Sequence, residues 1–306
     1  CYMIKHFLDF SKISAEDLRN ILSNAARLKK ERVAGKFSAP LKHKKLAMIF
    51  EKNSTRTRVS FEVAMVELGG HPIFLNGSEL QLGRGETVAD TARVLSRYVD
   101  AIMLRCHDHK KIVELSQNAS VPVINGLTEF SHPCQIIADI LTFEENFGNI
   151  AGKTIAWVGD GNNVAHSWIQ AAALFGCKLN IACPKSLSPL SEVIEWAIAN
   201  GANIEIMESP QEAVVGAHAV ITDTWVSMGD PDSEVKIALL TPYQVNAELM
   251  KKAPPEAIFL HCLPAHRGEE VTAEVIDGVQ SKVFDEAENR LHAQKAILLW
   301  CLGIEY

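Results

Sequence analysis

The stretch with the clearest capacity for chemistry is Ser54-Thr55-Arg56-Thr57-Arg58, five consecutive hydroxyl and guanidinium side chains. Hydroxyls and planar cations are the donors an oxyanion needs, each charge-assisted bond contributing roughly 1.5 to 3 kcal/mol. The setting suits a phosphate. Leu46 to Phe50 reads as a short buried strand leading in. Val59, Phe61, Ala64, Met65 and Leu68, at three- and four-residue spacing, read as one apolar helix face leading out and stopped by Gly69-Gly70. The first N–H groups of such a helix have no partner within it, and its dipole places about half a positive charge there. An anion fills that vacancy. Helix capping with solvated arginines is the alternative, but a cap requires a single such side chain.

Further candidates stand after other strand patterns. Arg105 follows the apolar Ala101-Ile102-Met103-Leu104, where a guanidinium either meets solvent or stabilises an oxyanion. His132 and Gln135 open a helix pattern, as ligand contacts or as neighbours of its cap. Gly159-Asp160-Gly161-Asn162-Asn163-Val164 follows a strand and opens a helix, as a dinucleotide fingerprint does. Its third glycine position is Val164, and the next strand ends in Cys183-Pro184 where an acidic ribose ligand is expected. A nicotinamide cofactor is therefore disfavoured and no cofactor is assigned. Asp223 with Ser227, and His261-Cys262, complete the set. His107 with His109, or His261 with Cys262, raise the question of zinc. Adjacent strand residues point to opposite faces, and structural zinc sites show paired ligands at short spacing, so no metal is assigned.

The elements that must position these groups alternate. Strand patterns at Leu46 to Phe50, Pro72 to Leu75, Ala101 to Leu104 and Val121 to Ile124 are separated by helix patterns. A helix starts at Ala15 behind Ser14 as N-cap and carries Leu18, Ile21, Leu22, Ala25 and Leu28. A second series follows at Thr154 to Val158, Lys178 to Ala182, Ala202 to Met207, Ala219 to Thr222 and Ile258 to His261. Its helices are expected at Ala165 to Phe175, Glu192 to Asn200 and Pro242 to Lys251. Such alternation predicts an α/β protein with two doubly wound parallel-sheet domains, as 306 residues also suggest. The helix opening at Pro133 and ending near Gly148 bridges the domains, and a last helix, Glu286 to Leu302, packs back on the first. In such sheets ligands lie beyond the carboxyl ends of the strands.

Composition narrows the partners. A net charge of −7 argues against nucleic acid, which needs clustered positive charge, so an anionic substrate must be held by local arginines. Seven cysteines without a Cys-x-x-Cys pair read as reduced thiols in a cytoplasmic protein. The longest apolar run, Ala296 to Ile304, is far below the ~20 residues that span a bilayer, and the N-terminus shows no signal-peptide core.

Taken together, Ser54-Thr55-Arg56-Thr57-Arg58, His132-Pro133-x-Gln135, Asp223-x-x-x-Ser227-Met228-Gly229 and His261-Cys262-Leu263-Pro264 resemble the signatures of ornithine carbamoyltransferases, over nearly the whole chain. The first two resemble the carbamoyltransferases at large; the last two narrow the acceptor to ornithine. The resemblance implies a carbamoyl-phosphate-binding domain over 1–148, with the C-terminal helix 288–306 packing back on it, and an ornithine-binding domain over 149–287. It also implies a homotrimer or a multiple of trimers. The implied reaction moves the carbamoyl group of carbamoyl phosphate to the side-chain amine of L-ornithine, giving L-citrulline and phosphate, in arginine biosynthesis or, reversed, arginine breakdown.

Carried over by residue, Ser54, Thr55, Arg56 and Thr57 hold the phosphate, while Arg105, His132 and Thr57 face the carbonyl oxygen. Gln135 and the backbone near Leu263 hold the carbamoyl nitrogen, Gln81 is lent by a neighbouring subunit, and Arg290 is a further carbamoyl-phosphate contact. Asn163, Asp223, Ser227 and Met228 contact ornithine, with Cys262 beside the reacting amine. The rivals are transfer to aspartate, putrescine or an acylated ornithine, a thiol hydrolase with Cys262 as nucleophile, and a non-catalytic binding protein. Asp223 speaks against aspartate, since a carboxylate favours a cationic acceptor.

Overall fold

The computed structural model describes residues 3–80, 82, 85–227 and 230–306. The chain divides into two compact units, Cys1–Leu141 with Glu288–Tyr306, and Thr142–Ala287. In the first, β1 (Lys45–Phe50), β2 (His71–Asn76), β3 (Ala101–Arg105) and β4 (Val123–Leu127) form a parallel sheet in the order β2-β1-β3-β4. Its helices are α1 (Ala15–Val33), α2 (Thr55–Glu67), α3 (Val88–Leu95), α4 (His109–Asn118) and most of α5 (Pro133–Phe147). In the second unit, β5 (Thr154–Val158), β6 (Lys178–Ala182), β7 (Asn203–Met207), β8 (Ala219–Thr222) and β9 (Ile258–His261) form a parallel sheet in the order β7-β6-β5-β8-β9. Around it lie α6 (Asn163–Phe175), α7 (Ser191–Ala199), α8 (Pro210–Ala213), α9 (Ser233–Leu240), α10 (Ala247–Met250) and α11 (Ala273–Ile276). The last helix is α12 (Val283–Cys301). Both sheets are the doubly wound parallel type that the alternation predicts.

Strand composition follows position. Central strands β1, β3, β5 and β8 are buried almost throughout, because crossover helices cover both faces, so they run apolar rather than alternating. The edge strands β2 and β7 are largely half-buried or exposed. In each sheet the chain reverses its winding beside the first strand of the series. The carboxyl ends of β1 and β3 therefore open side by side, with Phe50 in register with Arg105, and those of β5 and β8 do likewise. These two switch points are where an open α/β sheet takes ligands.

Some expectations need correction. β4 starts at Val123, after Pro122, which has no N–H for the ladder, instead of at Val121. Its outer edge takes up Phe7, whose N–H donates to the Val123 carbonyl and whose carbonyl accepts from Asn125. On α2, Val59 is exposed and the fifth position of the buried face is Thr57. The helix expected over Pro242 to Lys251 is a 3-10 turn, Thr241–Tyr243, then α10, because Asn246 leaves helical geometry to cap the Leu249 N–H. The helix α9 before it carries little apolar periodicity and is not foreseen.

Residues 288–301 of α12 belong to the first unit, where Trp300 donates to Asp17 (2.9 Å) and meets the Phe7 ring edge-on. His292 on this helix is buried, and neither ring nitrogen has a hydrogen-bond partner among the described residues. Burial pushes its pKa down to about 4, helped by Lys295, Lys29 and Arg32 and opposed by Glu288. The unfolded histidine takes up its proton near 6.5, so below that pH the unfolded state binds more protons. Stability contributed by the neutral ring is present above pH 6.5 and is lost as pH falls toward 4. Chemical denaturation at a series of pH values should show His292→Gln losing stability less steeply than the parent over that window, the difference approaching about 1.4 kcal/mol per pH unit. Parallel curves would mean that His292 titrates in the fold as it does in the unfolded chain.

Candidate active site

At the first switch point Ser54 caps α2 in extended geometry, its hydroxyl accepting from the Thr57 N–H. That turn delivers Thr57 to the interior, where it is 1% exposed and where three donors converge on its hydroxyl oxygen. They are Ser54 Oγ (3.1 Å), Arg105 Nη1 (3.1 Å) and Arg290 Nη2 (3.2 Å). A hydroxyl oxygen has two lone pairs, so the donors exceed what Thr57 can accept, as in a cradle shaped for a stronger acceptor. Arg290 also donates to Gln135 Oε1 (2.8 Å) and Gln294 Oε1 (3.0 Å), and Gln135 donates to Asp139 (2.9 Å). The guanidinium is thus fixed from several sides.

Arg105 reaches this place through a local irregularity. The β3–β4 register shifts at Leu104/Arg105, opposite Gly126, whose carbonyl lies 3.4 Å from Arg105 Nη1. A Cβ on Gly126 would come within 2.6 Å of Met103 Sδ and 3.3 Å of Arg105 Cβ, so glycine is what lets the arginine lie there. The turn beyond it is held by Asn125, which donates to the Leu8 carbonyl (2.8 Å) and to Ser131 Oγ (2.9 Å) and accepts from the Leu127 N–H. His132 follows this turn and is buried. Burial, then the charges of Arg290 and Arg105, hold its pKa well below the ordinary histidine value, so the ring is neutral. Thr55 is exposed and Arg56 half-buried at the same helix start. Arg58 lies outside the cluster, paired with Glu62 (3.3 Å) and over the Phe74 ring (3.6 Å).

In the second unit the glycine-rich turn has a different use from the one its pattern suggests. A Cβ on Gly161 would come within 2.4 Å of Pro189 N and 2.5 Å of the Leu187 carbonyl. That close approach is to the chain's own backbone, not to a pyrophosphate. Asn162 caps α6, accepting from Val164 and Ala165 N–H, and turns its amide N–H to Asp223 Oδ2 (2.8 Å). Asp223 Oδ1 accepts from Thr224 N–H (2.7 Å) and from Cys262 Sγ (3.1 Å). Asp160, in contact with Lys236 (2.7 Å), is raised by burial, against the pull of Lys236 and with Asp223 and Asp230 adding to the rise. The surroundings are thus rich in carboxylates and favour a cation.

The expected site residues fall into two groups. Ser54, Thr57, Arg105, His132, Gln135 and Arg290 are brought together in the first unit. Asp223 and Cys262 meet in the second, with Asn163 opening α6 and Ser227 exposed four positions beyond Asp223. Gln81, Met228 and Gly229 lie outside the described residues. Asn162, which holds Asp223, is a member of this cluster outside the expected set; its signal is the N-cap position at a strand tip.

The expected separation of His261 from Cys262 by strand alternation does not hold. Cys262 lies past the end of β9, so strand alternation does not separate it from His261, and ligand atoms of Asp223, His261 and Cys262 lie within 4.8 Å of one another. Both ring nitrogens of His261 are nevertheless engaged. Nδ1 accepts from the Leu263 N–H (2.9 Å) and Nε2 meets Glu270 Oε1 (2.8 Å). The same contacts leave His261 unable to serve as base for a Cys262 nucleophile. Leu263 itself has φ 59°, a left-handed conformation that costs a non-glycine residue roughly 1–2 kcal/mol.

Each unit is a doubly wound parallel sheet of the α/β class, with arginines converging at the switch point of the first and a carboxylate held at that of the second. The chain belongs to the aspartate/ornithine carbamoyltransferase family: the carbamoyl-P binding domain of that family matches residues 5–145, and its Asp/Orn binding domain matches residues 151–301. It is 58% identical over 301 residues to an ornithine carbamoyltransferase of Rhizobium meliloti (strain 1021), covering 98% of this chain and 99% of that one. With one of Rhodopseudomonas palustris it shares 62% over 302 residues, covering 98% and 97%. The solved ornithine carbamoyltransferase of Pyrococcus furiosus is 50% identical with a TM-score of 0.95, covering 99% of this chain and 98% of that one.

Proposed function

We propose that this protein transfers the carbamoyl group of carbamoyl phosphate to the side-chain amine of L-ornithine, releasing L-citrulline and phosphate. The observation that carries the reading is the convergence of Arg105, Arg290 and Ser54 on Thr57 at the β1/β3 switch point. The choice of ornithine is supported by the names of the relatives and by the carboxylate of Asp223, held ready for a cationic amino acid. Ser54, Thr55, Arg56 and Thr57 bind the phosphate, with Arg290. Gln135 and the Leu263 backbone take the carbamoyl nitrogen. Asn163, Asp223 and Ser227 bind ornithine with Met228, and Cys262 lies beside its amine. A homotrimer, with Gln81 contributed between subunits, and a cytoplasmic setting belong to the same proposal. The latter is supported by Cys106, Cys134, Cys177, Cys183, Cys262 and Cys301, which form no disulfide.

The neutral amine attacks the carbonyl carbon, and charge grows on the carbonyl oxygen. Arg105 and the N–H of neutral His132 donate to it. Collapse of the tetrahedral adduct breaks the bond to the phosphate oxygen, whose growing charge meets Arg56 and the α2 N-terminus. The amine's proton passes to the departing phosphate, so no dedicated base is needed. Citrulline and phosphate appearing in equal amounts from carbamoyl phosphate and ornithine, and not with aspartate, putrescine or acetylornithine as acceptor, is the expected result. Transfer to another amine in the panel, or none, would overturn the reading.

The pH dependence follows from the two groups that matter. An alkyl amine titrates near ~10.4, so its reactive fraction grows with pH. His132, held neutral by burial and by Arg290 and Arg105, adds no step near its ordinary value. Initial rates at subsaturating ornithine should therefore climb from pH 7 to 8.5. A flat profile with intact enzyme counts against attack by the free amine.

A further inference from the structure

We infer that Glu270 is a positioning residue for the reaction, acting through His261 on the Cys262-Leu263 backbone. Both side chains are fully buried. The Leu263 amide N–H points at His261 Nδ1 at 2.9 Å, and a backbone amide can only donate, so Nδ1 is an acceptor and carries no proton. The ring must therefore bear its proton on Nε2, which donates to Glu270 Oε1 at 2.8 Å. The same carboxylate oxygen accepts the His266 N–H (2.8 Å), and the His261 N–H donates to Glu286 Oε2 (2.9 Å).

Protonating Nδ1, or letting the ring turn over so that Cδ2 takes its place, would leave the Leu263 N–H without its acceptor and release that residue from its φ of 59°. Glu270 prevents both by fixing the tautomer and the ring plane, as an outer carboxylate does for an imidazole bound to a metal. Burial raises the cost of the ionised carboxylate, yet the bonds from His261 and His266 outweigh it and hold Glu270 below its ordinary value, so it is an acceptor at neutral pH. What is positioned is the segment whose Sγ meets Asp223 and whose main chain bends at Leu263. A displacement of about an ångström there can cost on the order of a hundredfold in rate.

The role of Cys262 and Leu263 rests on the carbamoyl-transfer reading; the proton placement does not. The purified protein and its Glu270→Ala and Glu270→Gln variants are compared in citrulline formation, with inorganic phosphate as inhibitor and thermal unfolding alongside. Glu270→Ala should lower kcat/KM for ornithine roughly 10- to 100-fold with the phosphate inhibition constant unchanged. Glu270→Gln, which keeps an acceptor oxygen, should recover most of it. A folded alanine variant with parental kcat and KM, or one that loses only melting temperature, overturns the positioning role. So does equal loss in ornithine and phosphate affinity, which marks general damage. A neutron structure of the unmutated protein needs no variant and decides even where Glu270→Ala fails to fold. A deuteron on His261 Nε2 and none on Nδ1 supports the inference, and one on Nδ1 overturns it. An unmutated protein that makes no citrulline overturns the transfer reading instead, leaving the proton placement to be judged on its own.

Discussion

Arg105→Ala is expected to lower kcat at saturating substrates by roughly 10² to 10³ while the protein stays folded. The size is that of removing one preorganised donor from a developing oxyanion, which in a dry site is among the largest single contributions to catalysis. The fold should survive because Thr57, a side-chain partner of Arg105, keeps its other donors. Nη1 of Arg105 has Thr57 and the Gly126 carbonyl as partners, and Thr57 still accepts from Ser54 and Arg290 without it. Arg105→Lys should not restore turnover, because an ammonium is a point charge and lacks the planar fork that addresses Thr57 and a substrate oxygen together. Steady-state kinetics with both substrates saturating, and urea unfolding of the same samples, check both halves. Unchanged kcat removes Arg105 from the chemistry, and loss of cooperative unfolding makes it a structural residue.

What the sequence disclosed, and what it hid, has a common physical origin. Central parallel strands are buried on both faces, so β1, β3, β5 and β8 appear as apolar runs, and the residues that follow them are the switch-point residues by construction. Ser54, Arg105 and Asp223 were legible for that reason. Arg290 was named through the family pattern alone, because nothing local marks a polar residue on an amphipathic helix as facing Gln135 some 155 positions earlier. The same blindness covers Glu270, a carboxylate in a polar run whose burial depends on β9 and on the chain folding back. Asn162 and Asn163 are adjacent and alike. Only the cap geometry shows that Asn162 turns its amide to Asp223. Val59 was misread because hydrophobic spacing on α2 does not say which of two overlapping faces is inward, and the inward one ends on Thr57, a polar residue kept there by its donors.

Asp223→Asn should weaken ornithine binding roughly 10- to 100-fold and leave inorganic phosphate binding close to parental, as read by calorimetry with each ligand alone. A hydrogen bond to a charged group contributes about 1.5–3 kcal/mol, and the substitution removes that charge at constant volume. It also creates a local conflict. Three donors converge on the carboxylate: Asn162 Nδ2 on one oxygen, Thr224 N–H and Cys262 Sγ on the other. An asparagine can accept on one side only, so its amide N–H must face either Thr224 or the Asn162 amide. Asn162 cannot turn over to oblige, since its Oδ1 caps α6 through Val164 and Ala165. The swap Asn162→Asp with Asp223→Asn removes the conflict, because an aspartate at position 162 can cap with one oxygen and accept from the new amide N–H at position 223 with the other. This double variant should regain the melting temperature of the parent but not its ornithine affinity, because the negative charge has moved to the cap. If the double variant regains both, the position of the charge is immaterial and Asp223 serves only to hold the loop. If Asp223→Asn alone weakens phosphate as much as ornithine, the assignment of the two ligands to separate residue sets fails.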